Sequence, residues 1–280
     1  NYKAALAALA TGTGVAMSAG EAGAQTTTSW TGTVGEDRDA ASGGRFKMRG
    51  RFQYDLISSD WDNNAEQGTR SYVRRAFLGV QGRLSEHWRY KVDFVLNPGA
   101  SGASSGSNED EVAVDDAYLE YAGDFFSFVV GENNVVSPLE DRVSSLDIPF
   151  IERSSVVNAF GYGRLAGVAF LTNGANWTAG VGVYGDSLNN REQSFNQNEP
   201  FTVQTRLTWT PFYENSPEGV SLVHLGVVGR QRDNGQDSGF TYATRPLNGR
   251  SARYIDPGTT GTRDTTLAIE LAAQYNQFGL

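Results

Sequence analysis

Residues 46–56, Phe-Lys-Met-Arg-Gly-Arg-Phe-Gln-Tyr-Asp-Leu, alternate apolar and polar side chains almost without a break. A strand turns successive side chains to opposite faces. Phe46, Met48, Phe52, Tyr54 and Leu56 therefore share one face, and Lys47, Arg49, Arg51, Gln53 and Asp55 the other. A water-soluble sheet carries such faces with the charges in solvent. A membrane barrel carries them with the apolar face in lipid and the charges along a water-filled lumen.

The pattern recurs along the chain. About ten candidate strands follow from period-two patterning bounded by Gly, Asn, Asp or Pro: 46–58, 70–84, 89–97, 112–121, 125–131, 163–173, 177–185, 201–211, 220–233 and 265–276. In the second, Ala76, Leu78 and Val80 oppose Arg75, Gln81 and Arg83; in the third, Tyr90, Val92 and Phe94 oppose Arg89, Lys91 and Asp93. Later strands set Val203, Leu207 and Trp209 against Gln204, Arg206 and Thr208, and Val223, Leu225 and Val227 against His224, Arg230 and Arg232.

Connection lengths decide between the two homes. Long segments (60–69, 98–111, 132–162, 186–200, 234–264) alternate with shorter ones (85–88, 122–124, 174–176, 212–219). An up-and-down barrel in an outer membrane has this parity, with short turns on one side and long loops on the other. A Greek-key sandwich has no reason to keep it. Lipid also requires every backbone polar group to be paired, which a closed barrel achieves. Trp88, Tyr90, Trp177, Trp209 and Phe212 fall at strand ends, where an aromatic girdle belongs. The expected fold is an all-β transmembrane antiparallel β-barrel.

Composition narrows the function. The chain has no cysteine, which removes thiolate metal sites, thiol catalysis and disulfides. Its net charge of −9 argues against nucleic acid as a partner. Lys3, the run Ala4–Ala10 and the small residues Ala22-Gly23-Ala24 read as a secretory signal peptide over 1–24. Residues 25–45 read as a flexible leader, and 46–280 as the barrel domain, incomplete at its C-terminus. No metal or cofactor is expected.

Several short segments together resemble the phosphate-selective porin O and P family. They are Arg74-Arg75-Ala76-Phe77-Leu78-Gly79, Asp116-Ala117-Tyr118-Leu119-Glu120-Tyr121, Val130-Gly131, Ser137-Pro138-Leu139-Glu140, Phe150-Ile151-Glu152-Arg153-Ser154, Trp177-Thr178 with Gly180–Gly185, and His224-Leu225-Gly226. The resemblance implies a sixteen-stranded trimeric porin of the bacterial outer membrane, with lipid and lipopolysaccharide around it. It also implies a third external loop, here Glu132–Tyr162, that folds into the lumen as the constriction. The family tends to carry lysine in Gly-x-Phe-Lys and Thr-Ser-Ser-Lys segments of this loop. This chain has Gly131-Glu132-Asn133-Asn134 and Val143-Ser144-Ser145-Leu146, losing two cations and adding Glu132.

An anion path needs cations spaced along the lumen. Lys47, Arg49, Arg51, Arg75, Arg83, Lys91, Arg206, Arg230 and Arg232 fall on predicted lumen faces, opposed by fewer acids: Asp55, Asp93, Asp116, Glu120 and Glu270. Glu132, Arg142, Glu152 and Arg153 are the charged candidates of the constriction loop. The competing reading is that these charges brace each other across the wall. Two enzyme-like strings carry little. Gly185-Asp186-Ser187-Leu188 matches an esterase nucleophile block without an Asp-x-x-His partner, and Asp60-x-Asp62-x-Asn64 lacks the Gly and Glu of a calcium loop. The expected function is passive diffusion of small hydrophilic solutes, with preference for anions such as phosphate or polyphosphate. A non-selective or differently selective porin is the alternative, and a soluble exported carbohydrate-binding protein or hydrolase a second.

Overall fold

A computed structural model describes residues 25–34, 45–59, 68–96, 112–145, 147–148, 150, 152–189, 200–217, 219–235, 239–244, 253–276 and 278–279. They build one antiparallel sheet in which every strand pairs with its neighbours in sequence. The strands are β1 (Gln25–Val34), β2 (Arg45–Ser59), β3 (Gly68–Arg83), β4 (Trp88–Leu96), β5 (Val112–Ala122) and β6 (Phe126–Asn133). After them come β7 (Leu165–Asn173), β8 (Trp177–Tyr184), β9 (Phe201–Ser216), β10 (Gly219–Asp233), β11 (Arg263–Tyr275) and β12 (Phe278–Gly279). Two short helices, α1 (Leu139–Arg142) and α2 (Ser155–Phe160), interrupt the β6–β7 connection. Short turns at 84–87, 123–125 and 174–176 alternate with the long connections, as the sequence predicts.

The sheet is inside-out for a water-soluble protein. Ile269 is 84 % exposed, whereas its neighbour Glu270 is 6 % exposed. The same holds around the wall: Phe52, Tyr54, Leu207 and Trp209 lie open, while Gln53, Asp55, Asp93, Arg206 and Arg230 are buried. Apolar residues outward and polar residues inward is the arrangement lipid demands of a transmembrane β-barrel. Edge-on and stacked rings run across the short-turn ends of β4 to β7, from Trp88 to Tyr121 (5.4 Å), Phe126 (5.6 Å) and Phe170 (5.7 Å). They form part of the aromatic band. Inside, a small apolar cluster of Val129, Val136, Ala169 and Tyr184 seats the start of the β6–β7 connection against the wall.

Three local features depart from expectation. Gln25–Val34 is a strand, not part of a flexible leader; its register on β2 runs from Gln25↔Ile57 to Val34↔Met48. Thr26, Thr27, Thr28, Thr31, Thr33 and Val34 are β-branched and favour the extended chain, a signal that the glycines and polar composition obscure. Next, β9 runs past Pro211 to Ser216. A proline has no N–H for a ladder, but the β9–β10 register shifts there, between Val223↔Phe212 and Leu225↔Trp209, so the ring sits at a bulge. The third is a bulge in β3, taken up below. The signal-peptide segment 1–24 and the Asp60-x-Asp62-x-Asn64 string lie outside the described residues.

Candidate pore lining and constriction loop

The inner face of the wall and the β6–β7 connection enclose a cavity of about 800 Å³, lined by more basic than acidic side chains. Inward positions of antiparallel strands bring these residues together from distant sequence.

Among the described residues the connection 134–164 crosses the inner face and is tied to five strands, to β5 through the pairs of Arg164 with Asp115 and Asp116. On β2, Arg51 donates to Ser145 Oγ at 2.6 Å. On β3, Arg75 Nη2 and Arg74 Nη1 reach Glu152 Oε2 at 2.5 and 3.1 Å. On β10, Arg230 Nη1 donates to Gly161 O at 2.9 Å. On β11, Glu270 Oε1 accepts from the N–H of Leu139 at 2.9 Å. Burial alone pushes the Glu152 carboxyl up, but Arg75, the N–H of Arg153 and Arg74 together hold it below the usual carboxylate range.

The loop is also tied to itself. Arg153 donates to the free carbonyls of Glu140 (2.9 Å) and Val143 (2.8 Å), which end α1 without helical partners. Glu140 in turn accepts from the backbone and hydroxyl of Ser154, and Ser154 Oγ caps α2 at Val157. Arg153 thus anchors the loop through carbonyls; its ion pairing with the neighbouring Glu152, considered from sequence, is absent among the described residues.

Arg74, which period-two reading leaves unassigned, is a principal contact. Opposite β3, Gln53 pairs with Arg75 and Tyr54 with Val73, so Arg74 is an extra residue. A bulge turns two consecutive side chains to one face. Both arginines therefore point inward, Arg74 to Asp55 and Glu152, Arg75 to Gln53 and Glu152. The signal in the sequence is the adjacent pair of charges where an alternating strand has one.

Most of the predicted cation ladder is neutralised in place. Arg49 pairs with Asp93 (2.7 Å) and Lys91 with Asp116 (2.5 Å) and Asp93 (3.2 Å); Arg164, a loop residue outside the predicted ladder, pairs with Asp115 and Asp116 (both 3.1 Å). Arg206 holds Glu270 (2.8 Å), and Arg230 and Arg232 share Asp264 (3.0 Å each). For these residues the bracing reading is the observed one.

A family model for the phosphate-selective porin O and P proteins matches residues 46–280. The chain belongs to this family. Relatives include an uncharacterised protein of Caulobacter vibrioides, 24 % identical over 84 % of this chain and 46 % of its own length. Another is Porin O of Pseudomonas aeruginosa, 25 % identical over 79 % of this chain and 50 % of its own. The chain thus spans about half the length of the curated relatives it matches. Family membership places it in the bacterial outer membrane.

Against the porin family pattern, the remaining candidates separate clearly. Lys47, Arg51, Arg142 and Arg153 line the cavity with no carboxylate partner among the described residues; the Arg153 guanidinium is taken up by backbone carbonyls of the loop, which sets the first three apart. Arg142 sits at the end of α1 with its side chain open to the lumen; enclosure by the wall and the nearby Arg206 lower its pKa to about 10, still cationic at neutral pH. Arg83 lies exposed at the turn end of β3 and Arg206 is buried in the wall; neither lines the cavity. Glu132 is not a loop anion. It is the penultimate residue of β6, fully buried, and accepts from Ser187 Oγ (2.7 Å) and the N–H of Leu188 (3.0 Å). Those bonds also account for the esterase-like string: Ser187 holds a loop onto Glu132, while His224 lies against Glu270.

Proposed function

We propose that the chain forms wall and constriction loop of an outer-membrane channel for passive diffusion of small hydrophilic solutes, preferring anions such as phosphate or polyphosphate. The observation that carries this is the set of unpaired cations, Lys47, Arg51 and Arg142, in a lumen whose other charges largely cancel. Unpaired guanidinium and ammonium groups along a water-filled path attract an anion and compensate part of its lost hydration. There is no chemical step; flux follows the gradient. The whole protein works as a homotrimer in lipid and lipopolysaccharide after export by the 1–24 signal peptide. The neutralised ladder and the missing loop lysines favour a second reading, a porin of weak or different selectivity.

Planar-bilayer recording of the full-length protein separates the two. Anion preference with chloride conductance blocked by added phosphate supports the first reading. An anion-preferring current indifferent to phosphate supports the second, and a cation-preferring reversal potential removes the anion claim.

A further inference from the structure

Glu270 is an acceptor of four hydrogen bonds on the inner wall. Its carboxylate takes Arg206 Nε at 2.9 Å, Arg206 Nη2 at 2.8 Å and His224 Nε2 at 2.9 Å. These three contacts come from β9 and β10. The fourth donor is the backbone N–H of Leu139, at 2.9 Å, and it comes from the loop. Gly226 of β10 keeps the approach open: a Cβ there would lie 2.5 Å from Glu270 Oε2.

Leu139 opens α1 and Arg142 closes it, three residues and one turn later. Within that turn Arg142 N–H donates to Pro138 O (3.0 Å) and Val143 N–H to Leu139 O (2.9 Å), so the two ends move together. A peg at Leu139 therefore sets where the Arg142 guanidinium stands in the lumen. We propose that Glu270 is a positioning residue for permeation: it hangs α1 from the wall and so aims the unpaired cation Arg142 into the solute path. This rests on the channel reading above.

The proposal separates from simple electrostatics by sign. Removing an acid from the lumen raises anion preference if charge alone matters. Removing the peg lowers it, because Arg142 leaves its station. Glu270→Gln removes the charge and keeps an acceptor oxygen; Glu270→Ala removes both. Leu139→Pro removes only the donor and leaves the Glu270–Arg206–His224 cluster whole. Proline suits the first helical position, and Pro138 already has the extended conformation (φ −57, ψ 159) that a following proline favours.

The test is the anion-to-cation permeability ratio of the full-length protein in planar bilayers, for wild type, these three variants and Arg142→Ala. Glu270→Gln is expected to keep or raise the ratio. Leu139→Pro is expected to lower it by the same factor as Arg142→Ala and, added to Arg142→Ala, to lower it no further, while Glu270→Ala lowers it by less because the lost acid acts in the opposite sense. If Glu270→Ala does not fold, Leu139→Pro decides alone. A Leu139→Pro channel with the wild-type ratio, or equal rises in Glu270→Gln and Glu270→Ala, overturns the proposal and leaves the channel reading standing. A wild type that conducts nothing overturns the channel reading itself.

Discussion

Arg49 on β2 meets Asp93 on β4 at 2.7 Å, although β3 lies between them. The intervening position is Gly79, opposite Arg49 on one side and Asp93 on the other. With no side chain there, the guanidinium lies across the middle strand. Gly226, opposite Glu270 on β11 and Thr208 on β9, likewise leaves room beside the carboxylate that Arg206 reaches from its position opposite Val228. Glycine on the inner face is thus what lets lumen charges pair two strands apart.

A methyl group at residue 79 would stand 2.0 Å from Asp93 Oδ1 and 2.4 Å from Val92 O, a backbone atom of the ladder. Gly79→Ala should therefore destabilise the barrel by roughly 1–3 kcal/mol, the usual cost of overpacking. The check is the temperature at which the compact, heat-modifiable band on a gel converts to the unfolded one; it should fall.

Arg74 and Asp55 form a buried pair in the wall, and Arg74 also bonds Tyr72. Removing one partner leaves a buried charge, at a cost of about 3–5 kcal/mol. Arg74→Gln should lower the same melting midpoint more than Gly79→Ala does. Adding Asp55→Asn should recover part of the loss, so the two effects measured by denaturation are less than additive.

The loop's tie to β3 carries a pH dependence. Arg75, the Arg153 N–H and Arg74 depress the Glu152 pKa in the folded state against the opposing effect of burial. A depressed carboxyl stabilises above its unfolded pKa of about 4.3, and that contribution disappears as pH falls through the folded value. Open-channel noise in single-channel records should stay level from roughly pH 8 to roughly pH 5 and rise only below about pH 4. Glu152→Gln should be noisy at neutral pH already. A noise transition centred near neutrality would contradict this assignment.

These 280 residues hold no cysteine, so a single substitution gives each face of this part of the wall one thiol of its own. A charged, membrane-impermeant thiol reagent should modify Lys47→Cys and Arg142→Cys, which line the cavity, and leave Ile269→Cys unmodified in lipid. Mass spectrometry of the labelled protein in vesicles reads the outcome directly.

The wall was legible in the sequence because lipid and lumen impose opposite chemistry on successive residues of every strand. Phe46–Leu56 states that rule in eleven residues, and β2 obeys it. Period two does not encode bulges or long-range contacts. Arg74 faces inward only because a bulge breaks the count. β1 escaped notice because its threonines are polar in composition but β-branched in shape. By strand position alone Glu270 is one lumen acid among several. Its role as the peg for α1 depends on a contact across 131 residues, which no local pattern announces. Strand position names the cations, but which of them are neutralised depends on partners brought from adjacent strands, as for Lys91 and Arg230, or from two strands away, as for Arg49 and Arg206.

The central claim is that permeant anions are drawn by the unpaired cations Lys47, Arg51 and Arg142 and not by the paired ladder. Reversal potentials of the full-length protein under a salt gradient test it with two multiple variants. Lys47→Gln, Arg51→Gln and Arg142→Gln together should abolish anion preference, while Arg49→Gln with Asp93→Asn should leave it unchanged. Anion preference that survives the first and disappears in the second would contradict the account.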